Sequence, residues 1–236
     1  MSWDGIEFNG LHSYRDLGLT IESRNLGKPS KIKKMERIPY SNIEYDFSSL
    51  YGEQEWTERE LTYTFNIAGK KARHYFQELE TQLLNWLQAP FRKLPLKDDT
   101  LSDFYFLAES VSSAETDFQF VMGKVTVTFT AYSHKIARFP EGHGLWDEIN
   151  FLWDYFQDTM FKVNGSLDVI LQNPGSRKAK PEIKTSASIK IIKDGVTYDI
   201  PAGTKSSYDF TLSPGVNRLR ILGSAEVSFI YYKEMI

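Results

Sequence analysis

Glu60-Leu-Thr-Tyr-Thr-Phe-Asn-Ile67 alternates polar and apolar residues without a slip. Successive side chains of a strand point to opposite faces, so a period of two makes this segment a strand with one wet face and sets Leu61, Tyr63, Phe65 and Ile67 on a core. The residues before it are dense in short strand signals and hold no recognisable catalytic motif. Asp117 to Tyr132 alternates as well, but Phe118, Phe120 and Met122 are apolar on even positions and Val125, Val127 and Phe129 on odd ones. A bulge or bend at Gly123 would restore one buried face.

Between these strands, 70–88 carries Tyr75, Phe76, Leu79, Leu83, Trp86 and Leu87 at helical spacing, and Pro90 stops it. The pattern predicts one amphipathic helix packed on a sheet, its aromatic stripe being core and no cofactor box. Ala131 to Leu145 loses alternation and contains Pro140, Gly142 and Gly144, which reads as a connection. After a stretch of ambiguous phase, Trp146 to Phe156, short strands follow between turn signals at Asn164-Gly165, Asn173-Pro174-Gly175, Asp194-Gly195, Ala202-Gly203 and Pro214-Gly215. Lys190 to Tyr198 reads as a hairpin about Asp194-Gly195. Strands at this spacing suggest a β-sandwich. The organisation expected is 1–135 as a first β-rich lobe with a helix near 70–88, 136–145 as a linker, and 146–236 as a second β-rich lobe.

Composition narrows the function. The 236 residues contain 28 Lys and Arg against 31 Asp and Glu, a net charge of −3, so no global field draws the chain to nucleic acid. Cysteine is absent, which excludes disulfides and thiolate metal sites. No stretch approaches the roughly 18 apolar residues of a membrane span, and the acidic start is unlike a signal peptide, so a soluble chain made in the cytosol is expected. All five Trp lie at or before Trp153, as a boundary between two lobes would produce.

Candidate chemistry is sparse. His12, His74, His134 and His143 lack the spacing of a zinc site, and Gly142-His143-Gly144 lacks the rest of a phosphate loop. Glu53, Glu55, Glu58 and Glu60 offer paired carboxylates, but Glu58 and Glu60 fall on the outward phase of a strand, as a solvated face does. No enzyme activity, metal or cofactor is expected. Lys28 to Arg37 holds five basic residues to one acid, among them Lys31, Lys33 and Lys34, and Glu53 to Glu60 holds four acids to one base. These clusters lie either on neighbouring strands of one chain or across a head-to-tail interface between copies. The loop Tyr40 to Trp56 carries Tyr45, Phe47, Leu50, Tyr51 and Trp56, too many large apolar groups for free solvation, so each either turns inward or meets a partner. Leu50 and Tyr51, beside Gly52, are the chosen contacts. In the second lobe Tyr198 and Tyr208, with Tyr231 and Tyr232, are the aromatics a sugar could stack on, although one of the last two must face inward.

The run from Phe8 to Ile67, FNGLHSYRDLGLTIESRNLGKPSKIKKMERIPYSNIEYDFSSLYGEQEWTERELTYTFNI, resembles the opening of the distal tail proteins of long-tailed phages that infect Gram-positive bacteria. Pro214 to Ile236, PGVNRLRILGSAEVSFIYYKEMI, is similar to the family's closing pair of strands with a Gly-x-Asn turn. The resemblance implies a mainly β chain, with an N-terminal ring-forming β-sandwich carrying one helix and a C-terminal galectin-like β-sandwich. It also implies a virion tail-tip or baseplate hub, a homo-hexameric ring joining the tail tube protein to tail-associated and receptor-binding proteins around a DNA channel. Leu50, Tyr51, Trp56, Glu53, Glu58, Lys31, Lys33 and Lys34 are then its expected interface. The alternative is a carbohydrate-binding module acting through the C-terminal lobe, with Tyr198 and Tyr208 as its platform.

Overall fold

A computed structural model describes residues 4–50, 52–68, 73–112, 114–119, 122–143, 150 and 155–236, with side chains for all of these except 68, 73–76, 118, 119 and 122. The chain is mainly β and falls into two compact units, 1–135 with Ile236, and 136–235.

The first unit contains β1 (Ile6–Phe8), β2 (Leu11–His12), β3 (Thr20–Leu26), β4 (Met35–Arg37), β5 (Glu44–Asp46), β6 (Arg59–Ala68), α1 (Arg73–Gln88), β7 (Leu94–Asp98), β8 (Phe104–Glu109), β9 (Glu115–Gln119) and β10 (Met122–Ala131). Its main sheet has the order β2-β1-β7-β8-β10-β6-β3, and β9 adds to β10. β8 and β10 meet only at Thr130↔Glu109 and Ala131↔Ala108. There the sheet turns a corner, giving two layers: β2-β1-β7-β8 and β9-β10-β6-β3. In a flat sheet β1 and β10 would lie three spacings apart, about 14 Å. Instead the rings of Phe8 and Phe129 are 5.1 Å apart and meet edge to face.

Leu61, Tyr63, Phe65 and Ile67 are all buried, as the alternation requires. From α1, Leu79, Leu83, Trp86 and Leu87 enter the same core, and Trp86 Nε1 donates to Phe8 O at 2.6 Å. Residues 70–72 and the side chains of Tyr75 and Phe76 lie outside the described residues. The two layers are also pinned by Asp98 at the end of β7. Its buried carboxylate accepts from the Tyr63 hydroxyl at 3.1 Å and from Thr100 N and Oγ1 at 3.0 and 2.7 Å, and the Arg24 guanidinium lies 3.1 Å away.

The phase change expected to mark a bulge at Gly123 has another cause. β9 and β10 are separate antiparallel strands, paired from Met122↔Gln119 to Thr126↔Glu115, while β10 runs along β6 in unbroken register. A reversal of the chain, unlike a bulge, begins a new strand whose inward phase is independent of the last.

β11 (Lys135–Ala137) leads into the second unit, which continues with β12 (Met160–Asn173), β13 (Glu182–Thr185), β14 (Ile189–Lys193), β15 (Val196–Ile200), β16 (Gly203–Lys205), β17 (Gly215–Ile230) and β18 (Glu234–Met235). The segment 136–143 is held by the strand end that follows β17: Ala137 N donates to Lys233 O, Glu141 N to Tyr231 O, and Lys233 Nζ meets the Glu141 carboxylate at 3.2 Å with both side chains buried. The order is β15-β14-β17-β13-β16, with β12 along the other side of β17. β17 pairs β14 through Leu219 to Leu222 and β13 through Val227 to Ile230, and between these stretches Gly223 has φ +136°. Gly165 of β12, φ +87°, stands directly opposite Gly223. Both long strands bend at this glycine pair, where a Cβ on Gly223 would press against Ile189 at 3.1 Å. Apart from the glycines, odd residues of β12 and β17 face the core, among them Val169, Leu171, Leu219, Ile221, Val227 and Phe229. Asp194 and Gly195 take φ of +50° and +81° in the β14–β15 hairpin, the turn its dipeptide predicts.

Candidate assembly surface

Gly27 is where the chain leaves the first unit's sheet. Its N–H donates to Glu60 O at 2.9 Å, and a Cβ there would lie 2.4 Å from the same oxygen, so only glycine allows the approach. From this point residues 28–50 and 52–58 form an antiparallel ribbon. Thr57 N donates to Ser30 O and Ile32 N to Glu55 O, Lys31 bridges to Trp56, and Phe47 N donates to Lys34 O. β4 and β5 then pair from Met35↔Asp46 to Arg37↔Glu44, and the tip closes at Ile38 N to Ile43 O with Tyr40 at φ +61°.

Side chains brace the ribbon. Lys33 reaches Asp46 at 2.6 Å, Lys34 reaches Glu55 at 3.0 Å, Lys31 Nζ sits 5.5 Å from the Trp56 ring centroid, and Gln54 donates to Ile32 O at 2.7 Å. The Lys33 ammonium, with the Ser48 hydroxyl and N–H, holds the Asp46 carboxyl well below the usual carboxylate range. Lys34 and Glu55 come from the two charge clusters, which therefore meet within one chain, while Glu58 pairs with Lys93 of the same unit.

The ribbon's apolar side chains have no such cover. Tyr40 at the tip is fully exposed, Leu50 is 60 % and Ile43 55 % exposed, and Met35, Ile38, Tyr45 and Phe47 are exposed on the same ribbon. An isolated two-stranded hairpin buries too little to be stable alone, and a row of large apolar groups open to water marks an interface. Of the expected contacts, Leu50 lies in this exposed set, Lys31, Lys33 and Lys34 are exposed along the ribbon, and Tyr51 lies outside the described residues. Trp56 is half-buried with its ring edge-on to His134 at 6.0 Å, and Glu53 is half-buried. Met35, Ile38 and Ile43 were not singled out by sequence, since two three-residue strands are too short to show a period.

Elsewhere, buried His12 sets Nε2 3.0 Å from Asp99 Oδ2 and accepts at Nδ1 from the N–H groups of Tyr14 and Arg15. Those two donors favour the tautomer with its proton on Nε2, facing Asp99. No group of three metal-binding side chains occurs among the described residues. In the second unit Tyr198 packs edge-on against Phe210 at 5.1 Å, Tyr208 is exposed with Lys180 Nζ 3.4 Å over its ring, Tyr231 is buried and Tyr232 partly exposed.

No protein-family model matches the chain, and no curated protein matches its sequence. Solved structures do. The crystal structure of the SPP1 Dit (gp 19.1) protein, described as a paradigm of the hub adsorption apparatus in phages infecting Gram-positive bacteria, matches at TM-score 0.65 with 11 % identity, over 100 % of both chains. The chain has the distal tail protein fold. A second match, the phage p2 baseplate in its activated conformation with Sr, covers 98 % of this chain and 97 % of that one at 9 % identity and TM-score 0.45, too low to establish a shared fold. In the distal tail protein fold seen here, the exposed ribbon is an excursion between β3 and β6 of the first unit.

Proposed function

We propose that this protein is a structural hub of a phage tail tip, assembling through its first unit into a hexameric ring. The ring would join the tail tube to tail-associated and receptor-binding proteins and leave an axial passage for DNA. What carries the reading is the uncovered apolar ribbon at 28–58 in a chain whose full length shares the fold of SPP1 Dit. A ring needs a heterologous contact in which one patch meets a different patch of the next copy, and a protruding ribbon laid on a neighbour supplies one. The in-chain Lys34–Glu55 pair gives the charge clusters the role of bracing the ribbon, and its apolar side chains the role of contact.

Shortening the ribbon tests this. Replacing residues 35–46 by a two-residue turn should leave the rest of the first unit folded and convert a sedimenting hexamer to a monomer. An unchanged hexamer would remove the ribbon from the interface.

A further inference from the structure

β12 is a fourteen-residue strand with one free edge: among the described residues it pairs only with β17. Which of its backbone groups face that edge follows from two hydrogen bonds. Phe229 N donates to Thr159 O at 2.9 Å, so odd positions turn toward β17. At the other end Gln172 turns away, and the Gln157 side chain takes both its groups, donating Nε2–H to Gln172 O and accepting from Gln172 N, each at 2.8 Å. The register between these points never shifts. Even residues 160 to 170 therefore present N–H and C=O to the open edge, and their side chains lie on the exposed face. Gln157 imitates a neighbouring strand at one residue only.

The geometry points to a second copy of β12 as the missing neighbour, paired antiparallel about a two-fold axis through Gly165. The sequence is self-complementary about that point. Met160, 77 % exposed, would face Ile170, 52 % exposed, Lys162 would face Asp168, and Asn164 would face Ser166. Every pairing is even to even, as an antiparallel ladder needs when both partners must offer their outward groups. The bend at Gly165 selects the same register: a two-fold axis normal to the sheet brings the two bends together, as Gly165 and Gly223 already stand within the chain. Sliding by two residues either way sets Lys162 opposite Ser166 or Ile170 and puts the bends out of step. Asp168 already chelates Arg220 through Nε at 2.6 Å and Nη2 at 3.1 Å, so the partner's lysine would complete a triad on its open side. This pairing is isologous and does not depend on the ring.

Zero-length carbodiimide crosslinking of the full chain, as an equal mixture of unlabelled and ¹⁵N-labelled protein, reads it directly. Because the strand bends at Gly165, between the two residues, only the mixed-isotope form of a Lys162–Asp168 link reports pairing between chains. The expected result is that link in mixed-isotope form. Ser166→Pro should lower it at least ten-fold with an unchanged thermal transition, because the N–H it removes faces away from β17. Lys162→Asp should abolish it, and Lys162→Asp with Asp168→Lys should restore a 162–168 link of swapped chemistry. Absence of the mixed link while other surface links form, or its persistence in Ser166→Pro, overturns the pairing. A hexamer without the link rejects the pairing and spares the ring, and the link without a hexamer does the reverse.

Discussion

Replacing Asp98 with alanine tests what holds the two layers of the first unit together. The carboxylate is fully buried and is shared by β3, β6 and the β7–β8 turn through Arg24, Tyr63 and Thr100. Truncation strips Arg24 of the one carboxylate within 4 Å of it among the described residues, and removing one member of a buried pair costs about 3–5 kcal/mol. The Arg24 side chain keeps 23 % of its exposure, so the lower end applies, about 3 kcal/mol. Leaving the buried Tyr63 hydroxyl without its acceptor adds roughly 1 kcal/mol. The groups form one network, so these losses overlap, and about 3–4 kcal/mol in total is expected, or roughly 10 °C in the first unit's transition. Tyr63→Phe, which removes one hydrogen bond and keeps the ring, should cost about 1 kcal/mol. Urea unfolding followed by tryptophan fluorescence, to which buried Trp86 contributes, measures both. An Asp98→Ala loss below about 1 kcal/mol would mean that the layers are held by apolar packing alone.

Three further outcomes are expected. Burial raises the Asp99 carboxyl, but the His12 ring and the Gly5 N–H outweigh it and hold it below its ordinary value. A lowered carboxylate stabilises the fold above its unfolded pKa, about 3.9, and loses that contribution as pH falls through the folded value, so Asp99→Asn should flatten the acid limb of a stability profile below about pH 4. Gly27→Ala must push Glu60 O from 2.4 Å and should cost about 1–3 kcal/mol, read as a lower denaturation midpoint. Lys233→Met leaves the Glu141 carboxylate buried without that cation and should destabilise the second unit by about 3 kcal/mol in calorimetry, whereas Lys233→Arg should recover part of the loss.

The strands that could be read from sequence are those whose two faces differ. Leu61 to Ile67 announces itself because one face is buried and the other wet. The Asp194-Gly195 turn was readable because its backbone needs φ values those residues tolerate. Gly123 misled because a phase change looks the same whether a strand bulges or the chain reverses. The ribbon was half-legible: its aromatic content showed an excess of apolar surface, but with both faces exposed no alternation separates inside from outside, so Met35, Ile38 and Ile43 passed unnoticed. The charge clusters are complementary in sequence without an address, and the fold puts Lys34 beside Glu55 of its own chain. Nor does alternation disclose which edge of a strand is open. That property of β12 depends on where β17, seen at Thr159 and Phe229, and the Gln157 side chain take up hydrogen bonds.

A hub requires many copies of this chain to close into a ring. Electron micrographs of the purified full-length protein test it most directly, because class averages report both symmetry and a passage. Six-fold rings with a central hole are expected at micromolar concentration. Particles of single-chain size at every concentration examined would contradict it.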